Sequence, residues 1–310
     1  MHFEAKSRTI GGAICTAVVA AVLTACSSAS GTAPATLSDT QVSTDLAAGA
    51  AVAAATQAGD FETQETQAGA SAEIMKPFAN LMALGNANNN TNNNTKRMTT
   101  QSACTPGSFT GTLTFPASDP RDTTSISRTW EFFAAGVCEN LYVAGTTDSI
   151  VFTSAVTAEL NGKAGFWHTH HADNRTNWVT GAPALSTAST HVWNGFQAGT
   201  DTSTFSRDIS ETRQYDATAA DTVGSVTFPH PRDGVIYPVS GTYTRWVSAD
   251  VTFSGPTSGS KQVARHIVVT FNGNEIVPIV VYDVSTGAVA LTCQLDLGSG
   301  EIVSGSCTAS

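Results

Sequence analysis

The sequence predicts a mainly β fold, an antiparallel meander, sandwich or barrel, preceded by a short helical segment. From residue 104 onward apolar residues alternate with threonine, which is typical of strands with one buried face. An Asn-Gly pair between two such runs predicts a hairpin, whereas residues 39–85 carry apolar residues at helical spacing. The β part shows no alternation of helical and strand patterns, which excludes a doubly wound nucleotide-binding fold.

The helical pattern at residues 39–85 predicts two helices. Asp39 is expected to cap the first, whose apolar residues share one face. These residues are Val42, Leu46, Ala50 and Ala53. The second helix is expected at residues 72–84, with Gly85 as its stop. An asparagine-rich tract at residues 86–103 is expected to be a linker.

The β domain is predicted at residues 104–310, with about ten strands. Its clearest hairpin has Asn272-Gly273 as the turn, between strands at residues 263–270 and 275–282. Further strands are expected at residues 109–115, 129–134, 150–160, 165–172, 190–197, 224–228, 243–253 and 289–297. Aspartates are expected to form turns between strands. They include Asp119, Asp122, Asp201, Asp221 and Asp233.

Residues 1–25 have the layout of a signal peptide. A start with Lys6 and Arg8 precedes an uncharged apolar stretch at residues 10–23, which is shorter than the ~18 residues of a spanning helix. The stretch ends in Leu23-Thr24-Ala25-Cys26. This motif resembles the lipobox of bacterial lipoproteins, and the resemblance implies cleavage before Cys26 and attachment of lipid to that cysteine.

The resemblance to bacterial lipoproteins also implies a location in the cell envelope. Ser27 is not the aspartate that retains such proteins in the inner membrane, so the outer membrane is expected. Residues 26–38, rich in Ser, Ala, Gly and Thr, are expected to form a flexible tether. The run Cys293-Gln294-Leu295-Asp296-Leu297 resembles the end of β-rich exported lipoproteins with no assigned activity, so it implies no function.

The charge of the chain excludes some partners. The formal net charge is −10, and it becomes −11 when Glu4, Lys6 and Arg8 leave with the signal peptide. An acidic chain without a Lys/Arg cluster has no electrostatic footprint for nucleic acid. The lipid anchor is therefore the expected contact with the membrane, and a protein or an envelope polymer is left open as a further partner.

Four cysteines remain after cleavage and lipid attachment, and an even number in an exported chain predicts two disulfides. Cys293 and Cys307 lie symmetrically about Gly300, so a chain that folds back there brings them opposite each other. Cys104 and Cys138 then pair by elimination.

Reactive side chains are densest around His168-Thr169-His170-His171. On a strand, His168 and His170 share one face and His171 takes the other. Such a pair can begin a zinc or copper site if a third ligand joins it. The candidates are His191, His230, His266 or an aspartate. The alternative is a polar hairpin with its turn at Asp173-Asn174.

The remaining motifs predict no enzyme. Residues 258–261 have the serine–lysine spacing of penicillin-binding enzymes but follow Gly255-Pro256 and lack companion motifs. Most tryptophans are expected in the core, and any on an outward face would indicate carbohydrate or lipid binding. They are Trp130, Trp167, Trp178, Trp193 and Trp246. The leading hypothesis is a lipid-anchored, non-catalytic binding or structural protein without a cofactor. An envelope hydrolase, or a metal-binding module using His168 and His170, is the alternative.

Overall fold

The computed structural model describes residues 37–73, 107–113, 122–139, 142–161, 167–208, 211–231, 237–255 and 258–310. The predicted signal peptide, Cys26, the tether, the linker and Cys104 lie outside these residues. The described elements are α1 Asp39–Glu73, β1 Gly107–Leu113, β2 Thr123–Ala134, β3 Val137–Glu139, β4 Ser149–Asn161, β5 Trp167–Thr180, β6 Thr190–Asp208, β7 Glu211–Pro229, β8 Ser240–Ser254, β9 Gly259–Thr270, β10 Ile276–Asp283, β11 Val289–Asp296, β12 Glu301–Ile302 and β13 Thr308–Ala309.

The strands form one antiparallel meander, which is the first of the three predicted β architectures. Their order in the sheet is β1-β2-β4-β5-β6-β7-β8-β9-β10-β11-β12, while β3 pairs with β2 and β13 with β11. Apart from the short strands β3 and β13, neighbours in the sheet are thus neighbours in the chain, as short antiparallel connections favour. Within the described residues the sheet is not closed into a barrel, since it runs from β1 at one end to β12 at the other.

The alternating sequence gives the sheet two unlike faces. Along β7 every second side chain from Arg213 to Val223 is buried, and the residues between them are exposed. The buried face, called the inner face below, contacts α1, and the opposite, threonine-rich face is called the outer face. Side chains of β2, β5, β6, β7 and β9 all bond to α1, so the sheet curves around the helix.

Helix α1 is one continuous helix where the sequence predicts a break. It runs 35 residues, through positions expected to separate two helices. Asp60 and Phe61 lie between the first helix, expected to end at Gln57, and the second, and both are almost completely buried, so contacts with the sheet hold the helix there. Helical propensity alone is a weak guide against such packing. Residues 74–85, where the second helix was expected to end, lie outside the described part.

The cap of α1 differs from the prediction by one residue. The hydroxyl of Ser38 accepts a hydrogen bond from the backbone N–H of Gln41 at 3.1 Å, so Ser38 is the N-cap. Asp39, the predicted cap, lies in the first turn, where its carboxylate accepts hydrogen bonds from Lys261 and Arg265. Serine and aspartate are both good N-caps. Here Ser38 caps the helix through the nearby Gln41 N–H, while Asp39 binds side chains of the sheet.

The core between helix and sheet is aromatic at its centre. Phe61 of α1 stacks on Trp193 with ring centroids 4.6 Å apart and meets Phe228 edge-on at 6.1 Å. Phe152 covers Trp193 at 5.6 Å. Each such pair contributes about 0.5–1.5 kcal/mol beyond the area it buries. This cluster fixes the position of α1 at the middle of its length.

The predicted hairpin between β9 and β10 is confirmed, but the pairing is centred on Asn274 rather than on a two-residue Asn272-Gly273 turn. Gly273 has a φ of +84°, a conformation that glycine adopts without strain. Several strands are longer than predicted, however, and β6 and β7 each have 19 residues. Asp201 and Asp221, which were expected in turns, lie inside these two strands on the inner face, so that prediction is wrong.

The disulfide between Cys293 and Cys307 is confirmed, with their Cα atoms 4.1 Å apart. The chain folds back after β11, and β12 and β13 both pair with that strand. Cys138 on β3 is also disulfide-bonded. Its expected partner Cys104 lies outside the described residues, so the pairing of Cys104 with Cys138 stays a prediction.

Candidate functional site

Four arginines on the inner face bind the polar side of α1, and they are called the helix-binding arginines below. They bond to helix side chains as follows: Arg128 to Asp60 and Gln67, Arg175 to Gln57, Arg213 to Asp45, and Arg265 to Asp39 and Ser43. The Arg128–Asp60 pair is completely buried, with Nη2 2.7 and 2.6 Å from the two carboxylate oxygens. Buried pairs of this kind contribute little net stability but penalise every misplaced arrangement. They therefore fix the position of the helix on the sheet.

Five side chains of β5, β6 and β8 form a second buried group, called the central cluster. It consists of His171, Asp173, Arg175, Asp201 and Arg245. The His171 ring lies between two carboxylates, with Nε2 2.5 Å from Asp173 and Nδ1 bonded to Asp201. Burial alone would raise the pKa of Asp173, but the Arg175 charge and the bonds from His171 and Arg175 hold it well below its usual range.

A third buried carboxylate adjoins the central cluster. Asp221 Oδ2 accepts hydrogen bonds from Gln197, from the Tyr243 hydroxyl at 2.5 Å and from Arg245 at 3.2 Å. Burial raises the pKa of Asp221 to about 6, although these bonds oppose the shift. Burial also lowers the pKa of Arg245 to about 10, which leaves it protonated at neutral pH.

The space beside the central cluster is too small for a substrate. A cavity of about 40 Å³ lies between α1 and the cluster, bordered by His171, Arg245 and the hydroxyls of Thr169 and Ser203. Ligand pockets usually enclose about 300–1,000 Å³, whereas ~10–15 Å³ admits one water. Both nitrogens of the His171 ring are already bonded to carboxylates, so neither is available to take a proton from a nucleophile. Within the described residues, this cluster therefore bonds to itself and, through Arg175, to α1.

The polar segment around Asp173-Asn174 belongs to one continuous strand, β5, and is not the hairpin turn that was predicted. Asp173-Asn174, the expected hairpin turn, lies in the middle of β5, which is paired throughout with β4 and β6. Asp173 is buried because Arg175, on the same inner face, neutralises its charge and His171 bonds to its carboxylate. The strand continues where a turn was expected because tertiary ion pairs satisfy the polar side chain.

His168 and His170, the predicted metal ligands, share the outer face as expected and are called the histidine pair. Both contact the carboxylate of Glu159 on β4, at 3.1 and 2.6 Å, and all three side chains are about half exposed. His191 points to the inner face and His266 lies four strands away, so neither accompanies the pair. No group of three or more His, Cys, Asp or Glu side chains in the described residues is arranged to hold a metal ion.

A row of three aromatic rings crosses the outer face of β8, β9 and β10, and it is called the aromatic ladder. Trp246 stacks on His266 with centroids 4.0 Å apart and planes 15° apart, and His266 stacks on Tyr282 at 5.5 Å. Sheet register makes the three residues direct neighbours. Burial lowers the pKa of His266, which keeps the middle ring uncharged at neutral pH. Trp246 is nevertheless 48% exposed.

A shallow polar groove adjoins the ladder on the outer face. It has a volume of about 410 Å³ and is bordered by Asp216, Thr218, Ser248, Asp250, Gln262 and Ala264. Ser248 and Ala264 stand two residues along their strands from Trp246 and His266. The groove therefore has hydrogen-bonding side chains next to an aromatic surface, a combination common in ligand sites.

The tryptophans divide between core and surface. Trp130 and Trp193 are buried as expected, Trp178 is half-buried on the outer face, and the side chain of Trp167 lies outside the described part. Trp246 is the exception. In the observed register His266 lies opposite Tyr282, whereas a two-residue turn at Asn272-Gly273 would place it opposite Ile279. The sequence therefore contains no signal for this aromatic pair.

Two results bear on the wider relationships of the chain. Among the helices in the described ranges, none has the length and apolar character needed to cross a membrane. Comparison with protein-family models, with curated proteins and with solved structures finds no match for this chain.

Proposed function

We propose that this chain is a lipid-anchored protein of the bacterial cell envelope that binds an envelope component through the outer face of its sheet and performs no catalysis. The observation that carries the binding role is the contrast between the two faces. The buried ion pairs gather on the inner face, where α1 covers them and leaves a cavity of about 40 Å³. The outer face instead presents the aromatic ladder and the polar groove.

The anchoring part of the proposal is supported by the lipobox motif at Leu23-Thr24-Ala25-Cys26 and by Ser27, which favours the outer membrane. Replacing Cys26 with serine should abolish acylation and release the protein from the membrane or leave it uncleaved. Growth with a labelled fatty acid, followed by fractionation, measures both effects. Label incorporated into the Cys26→Ser variant would show that the anchor is elsewhere.

The binding part is tested with the purified chain lacking its first 26 residues. We expect it to sediment with isolated bacterial envelopes and to show no turnover in a broad screen of esters, glycans and peptides. If the chain does not sediment with the envelopes at any ionic strength, the binding role is contradicted. Turnover that survives repurification and disappears in one point variant would instead establish the hydrolase alternative.

A further inference from the structure

We propose that the outer face binds an uncharged oligosaccharide, with a sugar ring stacked on the free face of Trp246. This inference names the ligand of the binding role proposed above and rests on it. It is carried by the orientation of the aromatic ladder, by the small residues beside it and by the charge of the groove.

The orientation of Trp246 follows from its distance to His266. Neighbouring strands are about 4.8 Å apart, so parallel rings with centroids 4.0 Å apart must stand upright on the sheet with their faces toward adjacent strands. His266 covers the face of Trp246 that looks toward β9. The other face looks over β7, where the residue opposite Trp246 is Ala220.

Small side chains keep that second face open. Ala220 and its neighbour Ala198 on β6 are both exposed and carry only a methyl group. The surface above them is called the slot, and Trp246 is its wall. Its width of two strand spacings is about 10 Å, enough for a sugar ring to lie against the indole. The apolar C–H face of a pyranose packs on an aromatic ring in the way that other apolar groups do.

A second aromatic residue borders the same slot. Among the described residues, the large aromatic side chains that are at least 40% exposed are Trp246 and Phe196. Phe196 stands two residues from Ala198 on β6 and faces the slot's edge beside Thr222. Two exposed aromatic rings beside the slot give this part of the outer face an apolar surface that a ligand can cover.

The polar side chains around the slot fit hydroxyl groups. Thr218 and Thr222 flank Ala220 on β7, and both are exposed. The groove continues from Thr218 to Asp250 and Gln262, whose side chains bond to each other at 2.7 Å. From Trp246 to Asp250 along β8 is about 13 Å, which is longer than one sugar unit. The site therefore suits an oligosaccharide rather than a single sugar.

Charge selects among oligosaccharides. Asp216 and Asp250 border the groove without a lysine or arginine among its lining residues, and the whole chain has a formal charge of −10. Anionic polymers are repelled by such a surface, whereas carboxylates accept hydrogen bonds from uncharged hydroxyls. A cationic group on the indole would be the competing occupant.

The test is titration calorimetry of the chain without its first 26 residues against four hexamers. Two are uncharged, of glucose and of N-acetylglucosamine; one of glucosamine is cationic and one of galacturonic acid is anionic. We expect at least one uncharged hexamer to bind and the anionic one not to bind. Binding of the glucosamine hexamer without an uncharged one would overturn the proposal in favour of a cation site.

Two variants locate the site. Trp246→Ala should weaken binding at least about tenfold by removing the stacking surface. Ala220→Leu should do the same by filling the slot while leaving the ladder intact. Trp178→Ala, the same change at a half-buried outer-face position on β5, is the control and should change affinity by no more than about twofold. Circular dichroism melting checks that each variant folds.

Failure of this proposal is distinguishable from failure of the binding role. If no hexamer binds while the chain still sediments with envelopes, the oligosaccharide proposal is wrong and the binding role stands. If hexamers bind equally well to Trp246→Ala and Ala220→Leu, the sugar site lies elsewhere and the proposal for the slot is overturned.

Discussion

Replacing Asp221 with asparagine is expected to stabilise the protein at neutral pH and to leave its stability near pH 4 almost unchanged. Asp221 is 3% exposed on the inner face of β7, and its Oδ1 atom has no hydrogen-bond partner in the described residues. A buried carboxylate with one unsatisfied oxygen favours its protonated form. Asparagine keeps the shape of the side chain and removes the charge.

The magnitude follows from the pKa of Asp221, which burial raises from 3.8 to about 6. Because the folded state holds this proton more tightly, the stabilisation it provides is fully present below pH ~4 and is lost as the pH rises through ~6. Two pKa units correspond to about 3 kcal/mol. Asparagine does not titrate, so the variant should gain about 3 kcal/mol relative to the native protein between pH 4 and pH 7.

The assay is urea unfolding of both proteins at pH 4, 5, 6 and 7 with disulfides intact. The midpoint difference multiplied by the m-value gives the difference in unfolding free energy at each pH. Asp216→Asn, an exposed position on the outer face of the same strand, is the matched control and should stay within about 0.5 kcal/mol. A difference for Asp221→Asn that is constant with pH, or that grows toward pH 4, would refute the reasoning.

Three further predictions test the inner face, the disulfide and the histidine pair. Arg128→Met should cost about 3–5 kcal/mol in urea unfolding because it leaves Asp60 buried and unpaired, and adding Asp60→Leu should recover most of this loss. No recovery in the double variant would contradict the buried-pair argument. Replacing both Cys293 and Cys307 with alanine should lower the free energy of unfolding by about 3 kcal/mol, because the disulfide closes a loop with a sequence separation of 14. An unchanged unfolding midpoint would contradict this prediction. Micromolar zinc or copper should shift the melting temperature little, because the histidine pair is half exposed and bonded to one carboxylate. A dose-dependent shift that vanishes when both histidines are alanine would establish a metal site.

The antiparallel strands were predictable because their sequence signals are local, whereas the choice among meander, sandwich and barrel stayed open. Alternation with threonine marks the buried face of each strand, and the Asn272-Gly273 pair marks the loop that joins β9 to β10. Cys293 and Cys307 were predictable for the same reason, since the chain folds back between them. Each of these features depends on residues within one hairpin.

The buried charges were not predictable because their partners are distant in the sequence. Asp201 and Asp221 were expected in turns, where aspartate is common, yet both lie within strands and bond to Arg245. The partners are 44 and 24 residues away. No local pattern distinguishes a solvated aspartate from one that an arginine of another strand neutralises. The aromatic ladder was missed likewise, because Trp246 joins it only through the pairing of β8 with β9.

The helix-binding arginines have a consequence for the order in which the molecule can be assembled. As the chain grows from its N-terminus, the arginines of successive strands meet helix residues in reverse order: Arg128 with Asp60, Arg175 with Gln57, Arg213 with Asp45, and Arg265 with Asp39. The separations grow from 68 to 118, 168 and 226 residues. The strands can therefore add to the helix one after another, beginning near the helix's C-terminal end and finishing at its first turn. Each new strand then closes only a small additional loop, although the final contacts span most of the chain. The first residues of the helix form their contacts with the sheet last.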